Sequence, residues 1–202
     1  GHVELKQEQY ILRLMETYAP DGPPRSHSRG DTPCDVNLAQ LVSDACLLDP
    51  SEIDPVEVRR YQSIVGALLY CATNTCPDVA YAVAMLCRAM SRPTPELHAA
   101  ALRVLYYLYY SRDLGLRYSA SQVSLSGMSD SDWAVRHSTT GWGFMYSQAL
   151  VSWSSKKQPT VAPASCEAET MALSDAAKAA AYLRRFFGER GLGDADATSL
   201  ST

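Results

Sequence analysis

No apolar run in the 202-residue chain is long enough to cross a bilayer, which excludes a membrane-spanning helix as a functional element. No C-x-x-C pair occurs among the six cysteines, at 34, 46, 71, 76, 87 and 166, and the four histidines stand at no zinc-like spacing from them. That argues against a structural zinc site. No signal peptide opens the chain, and several cysteines fall on the apolar faces of helical stretches, so they are read as reduced packing residues and the compartment as intracellular. Nor is there an excess of one charge. The formal net charge of −4 divides into 11 basic against 14 acidic residues in 1–119 and 7 against 8 in 120–202. Neither part is a basic footprint, so any nucleic-acid contact has to be local. With 47% apolar residues, 11 glycines and 11 prolines, the composition also excludes collagen, coiled coil and full-length disorder, and leaves a globular chain of one domain or two small ones.

What is present divides by period. After a short strand at Val3–Lys6, Tyr10, Ile11, Leu14, Met15 and Tyr18 recur at helical spacing. The run Ala19–Asp31, rich in Pro, Gly, Ser and Asp, reads as a linker or long exposed loop. Three helices are then announced by a capping residue and an early proline, at Asp54-Pro55, Thr75-Cys76-Pro77 and Thr94-Pro95. Beyond Gly115 the period falls to two, predicting strands near 116–118, 123–128, 141–146 and 150–154, close enough for antiparallel hairpins. A long helix follows over about Cys166–Glu189, and the chain stops in a polar tail, 194–202. The expected fold class is α+β.

Two carboxylate pairs stand out: Asp130 and Asp132 after a predicted strand, and Glu167 and Glu169 in the first turn of the long helix. A strand end and a helix start that pack together can aim carboxylates at one point, where a hard divalent cation relieves their repulsion. From spacing alone, solvated acids favoured by the helix dipole are the simpler explanation.

The surrounding motifs are more specific. Val151-Ser152-Trp153-Ser154-Ser155-Lys156-Lys157-Gln158-Pro159-Thr160-Val161, followed by Ser165-Cys166-Glu167-Ala168-Glu169-Thr170-Met171-Ala172-Leu173-Ser174, resembles the RNase H region of copia-type LTR retrotransposon polyproteins. The same resemblance extends to Tyr61-Gln62-Ser63-Ile64-Val65-Gly66, Cys76-Pro77-Asp78-Val79-Ala80, Ser91-Arg92-Pro93-Thr94 and Ser129-Asp130-Ser131-Asp132-Trp133-Ala134, in the same order, over about residues 3–193.

The resemblance implies that 1–119 is the end of a reverse transcriptase with its helical connection, and 120–193 a truncated RNase H-like mixed sheet with a long helix. The polymerase's Tyr-x-Asp-Asp motif has no counterpart, so no polymerisation is expected. In the family four carboxylates hold two Mg²⁺ ions. Asp130 matches the acid of the first strand, and Glu169, in the Glu-x-Met-Ala register expected to face the sheet, matches the acid of the first helix. Asp132 and Glu167 are expected to be accessory. The third acid, on a strand after the helix, is matched at best by Asp194 or Asp196, and the fourth has no match, so the Mg²⁺ site is expected to be incomplete and the chain inactive. The implied partners are an RNA–DNA hybrid, with Lys156 and Lys157 as candidate phosphate contacts, and the remainder of the polyprotein, without a membrane.

Departures from the family pattern are a shortened turn between Ala134 and Ser138 and the tyrosines Tyr106, Tyr109 and Tyr110, which at helical spacing are read as packing. Trp133, Trp142 and Trp153 are assigned to stability. Loss of the fourth strand is expected to bare the ladder of the first, with marginal stability for 120–202. A co-opted interaction module and a non-functional relic are the alternatives.

Overall fold

A computed structural model of the chain describes residues 1–28, 31–120, 124–132, 138–192 and 198–201. The backbone separates into two compact units, Leu5–Gly115 and a second made of Gly1–Glu4 with Leu116–Thr202.

The first unit is helical. It contains α1 (Glu8–Tyr18), α2 (Leu38–Ala45), α3 (Pro55–Asn74), α4 (Ala80–Cys87) and α5 (Pro95–Ser111). Two of the three proline-marked starts behave as capping chemistry dictates: Asp54 Oδ1 accepts from Val56 N at 2.8 Å and Thr94 Oγ1 from Leu97 N at 3.3 Å. The third does not. Cys76 makes no capping bond, and Pro77–Val79 forms a 3-10 turn before α4 begins at Ala80, because a thiol is a much poorer acceptor than a hydroxyl or carboxylate. Helix α2 is an addition to the sequence reading; its eight residues bury Leu38, Val42 and Ala45 at helical spacing.

The core of this unit is built from Ile11, Val65, Leu68, Val83, Leu86, Leu97 and Leu105 around the fully enclosed Tyr61, whose hydroxyl donates to Leu86 O at 3.0 Å. Tyr106 and Tyr109 pack against that core, the Arg112 guanidinium lies 4.5 Å from the Tyr109 ring centroid, and Tyr110 meets Tyr109 edge to face at 5.5 Å between centroids.

The second unit carries β2 (Leu116–Ser119), β3 (Ser126–Asp132), β4 (Thr139–Tyr146), β5 (Ala149–Lys157), α6 (Ser165–Glu189) and β6 (Ser199–Ser201); β2 pairs with β1 (His2–Leu5) as a small separate sheet. The main sheet has the order β5-β4-β3-β6, antiparallel except for the β3–β6 pair, which is parallel. The fold is therefore mixed α and β with a mixed sheet. A parallel return from β5 to β6 past two strands needs a long crossover, and α6 supplies it, packing on β3 and β4.

Strand β6, inside the polar tail, corrects the expectation of a bare first strand over its three residues. Ser199, Leu200 and Ser201 pair with Ser126, Gly127 and Met128. The reason is local packing: a Cβ at Gly127 would lie 2.4 Å from Phe144 Cε1 and 2.7 Å from Leu200 Cδ2, so the glycine makes room for the ring of one neighbour strand and the only apolar residue of the other. Gly127→Val is expected to destabilise this unit by about 1–3 kcal/mol through forced overpacking and to detach β6. Urea unfolding and the loss of exchange protection at Leu200 measure both effects.

Among the described residues no helix is long and apolar enough to cross a membrane, and all six cysteines are free thiols. Burial pushes the Cys71 thiol up to about 12, as for a packing residue rather than a nucleophile.

Candidate functional site

The carboxylates of interest lie where β3 ends and α6 begins. Serine and aspartate have low strand propensity, and the predicted strand stopped at Met128; the ladder to β4 overrides that preference and carries β3 to Asp132, so Asp130 lies inside the strand opposite Gly141. Alternation then sorts the side chains. Gly127 and the buried Ser129 face α6, whereas Met128, Asp130 and Asp132 are exposed on the other face. Asp130 Oδ1 accepts a hydrogen bond from Ser131 N at 2.8 Å.

On α6 the buried row is Ala168, Ala172, Ala176 and Ala180. Glu167 and Glu169 are both exposed, so the residues turned into the sheet are alanines rather than Glu169. The two acids are not equivalent, however. A row stepping every four residues advances about 40° per step in a helix of 3.6 residues per turn, toward position 169 and away from 167. Glu169 is thus the nearer of the two to the sheet-facing edge.

The residue that fixes this corner was not singled out from the sequence. Gln158 is 1% exposed; its Nε2 donates to Thr140 Oγ1 at 3.0 Å and to Ala168 O at 2.9 Å, and its backbone N donates to Ser138 O at 2.8 Å. Thr140 stands opposite Ser131, the neighbour of Asp130, and Ala168 precedes Glu169. One amide therefore ties the acid-bearing end of the sheet to the first turn of the helix. The available signal was a lone uncharged amide between Lys157 and Pro159, at the end of a strand. The interior here is polar, with Ser129 Oγ, Ser131 Oγ and Gln158 Oε1 enclosed without a hydrogen-bond partner, and becomes apolar further along at Trp142, Phe144 and Leu200.

Lys156 and Lys157 separate to opposite faces of the sheet. Lys156, opposite Thr140, is held by Asp175 of α6 with Nζ at 2.8 Å from Oδ2, while Lys157, opposite Thr139, is exposed on the face that carries Asp130 and Asp132. The Lys156 hydrogen bond, joined by Lys178, holds the Asp175 carboxyl below the ordinary carboxylate range. A carboxyl whose folded pKa is depressed adds stability that is fully present above its unfolded value of about 3.9 and is lost as pH falls through the folded value. Asp175→Asn is accordingly expected to lower stability slightly at neutral pH and to remove that part of the acid dependence, read from urea midpoints at pH 7 and below pH 4.

Trp142 packs beside Phe144 at 5.6 Å between ring centroids, and Trp153 is half-buried. Trp133, the shortened turn after Ala134, Asp194 and Asp196 lie outside the described residues. Among the described residues no three acids, histidines or cysteines are grouped to hold a metal ion. Asp130 and Glu169 offer fewer oxygens than a hard cation requires, so the described donor set does not fit a two-Mg²⁺ centre.

Comparison with known proteins places this geometry in context. The chain is 44% identical over 128 residues to the secreted RxLR effector protein 161 of Plasmopara viticola, covering 61% of this chain and 90% of that protein. It is 33% identical over 195 residues to the retrovirus-related Pol polyprotein from transposon TNT 1-94 of Nicotiana tabacum, covering 93% of this chain but 14% of the polyprotein. It is also 38% identical over 148 residues to the uncharacterized mitochondrial protein AtMg00810 of Arabidopsis thaliana, covering 71% of this chain and 58% of that protein. No family model and no solved structure matches the chain.

Proposed function

Because this chain belongs to the retrovirus-related Pol polyproteins of copia-type transposons, we propose that it is the Pol segment running from the end of the reverse transcriptase and its connection into the opening part of an RNase H domain. Its ancestral chemistry is Mg²⁺-dependent hydrolysis of RNA in an RNA–DNA hybrid. With Asp130 and Glu169 as the matched acids, and Asp194 or Asp196 at best as a third, these 202 residues are expected not to hydrolyse.

The observation that carries this reading is the β3–β6 register. An acid-bearing central strand flanked by an antiparallel hairpin and a parallel returning strand, with the crossover helix starting beside the acids, is the arrangement that lets carboxylates from separate elements meet at one strand end. Strand β6 enters beside Ser126, along the edge of β3 that runs on to Asp130. A carboxylate from the returning strand would stand at that level. Within the segment, Gln158 orients the helix start, Asp130 and Glu169 are the remaining acids, and Lys157 is the cation on the acid-bearing face.

The test is complementation. The chain is extended with the residues that follow the matched region in the Nicotiana tabacum polyprotein and assayed on a labelled hybrid in Mg²⁺. The expected result is RNA cleavage that Asp130→Asn abolishes. Cleavage indifferent to Asp130→Asn and Glu169→Gln contradicts the assignment of these acids.

A further inference from the structure

One guanidinium on α5 gathers a segment that lies outside the helices. Arg103 donates from Nε to Thr32 O, from Nη2 to Thr32 Oγ1 and from Nη1 to Asp35 Oδ2, each at 3.2 Å. The segment is also folded on itself: Thr32 Oγ1 donates to Cys34 O at 2.8 Å, and Asp35 Oδ1 accepts from Val36 N at 2.8 Å. Cys34 packs against the helical core, whereas Thr32 is exposed. The Arg103 side chain is only 30% exposed, so its charge is screened less than that of a surface arginine.

Thr32 is followed by Pro33. The chain has two Thr-Pro pairs and no Ser-Pro pair, and the two threonines stand in different surroundings. Thr94 caps α5, its Oγ1 accepting from Leu97 N, and Pro95 opens the helix. Thr32 belongs to neither helix nor strand, and a residue before proline is biased to extended backbone. An exposed Thr-Pro outside regular structure is the form in which a proline-directed kinase takes its substrate, and of the two pairs Thr32-Pro33 meets that requirement.

We infer that Thr32 is a phosphorylation site for a proline-directed protein kinase, with Arg103 as the cation that receives the phosphate. The step is phosphoryl transfer: the γ-phosphoryl group of ATP bonds to Thr32 Oγ1, its bond to ADP breaks, and the hydroxyl proton passes to the kinase's base. The product carries a charge of about −1.5 to −2 and three acceptor oxygens, on an atom that a guanidinium nitrogen already contacts. A planar guanidinium meets a phosphate through two parallel N–H donors, and such charge-assisted bonds are about twice as strong as neutral ones. Asp35 is the competing anion, and the more highly charged phosphate draws the guanidinium from it. The modification therefore fastens 32–36, the approach to α2, onto α5. None of this involves the acids of the sheet-bearing unit.

The test is incubation of the full chain with ATP and a purified mitogen-activated-class kinase, read by peptide mass and by ³¹P NMR. One phosphate is expected on Thr32, and none there in Pro33→Ala. The second ionisation of the phosphate, ordinarily at about 6, is expected to fall, because a neighbouring cation favours the dianion. Arg103→Gln should return it to the ordinary value, and Arg103→Lys, which keeps the charge and loses the fork, should retain part of the fall. Amides of 34–38 are expected to exchange about fivefold more slowly after modification, an effect absent in Arg103→Gln. An unmodified Thr32, a phosphate titration indifferent to Arg103→Gln, or faster exchange over 34–38 overturns the inference.

Discussion

Gln158→Ala is expected to destabilise the sheet-bearing unit by about 2–4 kcal/mol, because it deletes two buried side-chain hydrogen bonds and the volume that carried them. The comparison with Gln158→Leu separates these contributions. Leucine restores most of the volume and removes the unpartnered Oε1 while leaving Thr140 Oγ1 and Ala168 O without the amide, so its effect should lie between wild type and alanine. Urea unfolding followed at Trp142 and Trp153, which both belong to this unit, reads the change. If alanine and leucine variants both unfold at the wild-type midpoint, the amide is not what joins strand and helix.

Leu105→Ala is the counterpart in the helical unit. Leu105 is fully buried in the cluster with Leu68, Leu86 and Leu97, and truncating such a residue costs both its transfer free energy and the cavity left behind, about 2–5 kcal/mol in all. Close packing of five helices leaves little room for collapse, which favours the upper part of that range. Native-state hydrogen exchange resolves where the loss falls: amides of α3 and α5 should lose protection while those of β4 keep theirs. A uniform loss over the whole chain would show that the two backbone units do not unfold separately.

These predictions rest on features with very different legibility in the sequence. The helices α3 and α5 follow from period and caps, and α6 and the hairpin of β4 and β5 from period and composition, since an amphipathic stripe or an alternating strand repeats its signal over many positions. Strand β6 was missed because its evidence is three residues long: Ser199-Leu200-Ser201 has one apolar side chain, and only the gap at Gly127, more than seventy positions earlier, gives that leucine a place. The end of β3 was misplaced for a related reason, its serines and aspartates being strand residues only in the presence of β4. Helix α2 was lost in the shadow of the loop before it.

At the candidate site, residue identities were legible and directions were not. Motifs singled out Asp130 and Glu169, yet strand alternation, helix phase and the Lys156–Asp175 contact determine which way each group points, and all three are fixed by pairing register rather than composition. Gln158 escaped notice because a buried amide is recognisable only when both of its acceptors are known.

The central claim is that this chain is a Pol segment holding the opening half of a hydrolase site and not a working one. Incubating the purified 202-residue chain with a labelled RNA–DNA hybrid in Mg²⁺, beside a functional ribonuclease of this reaction class, tests it most directly. The account predicts intact RNA at every enzyme concentration used; cleavage that requires Mg²⁺ and disappears with Asp130→Asn or Glu169→Gln would contradict it.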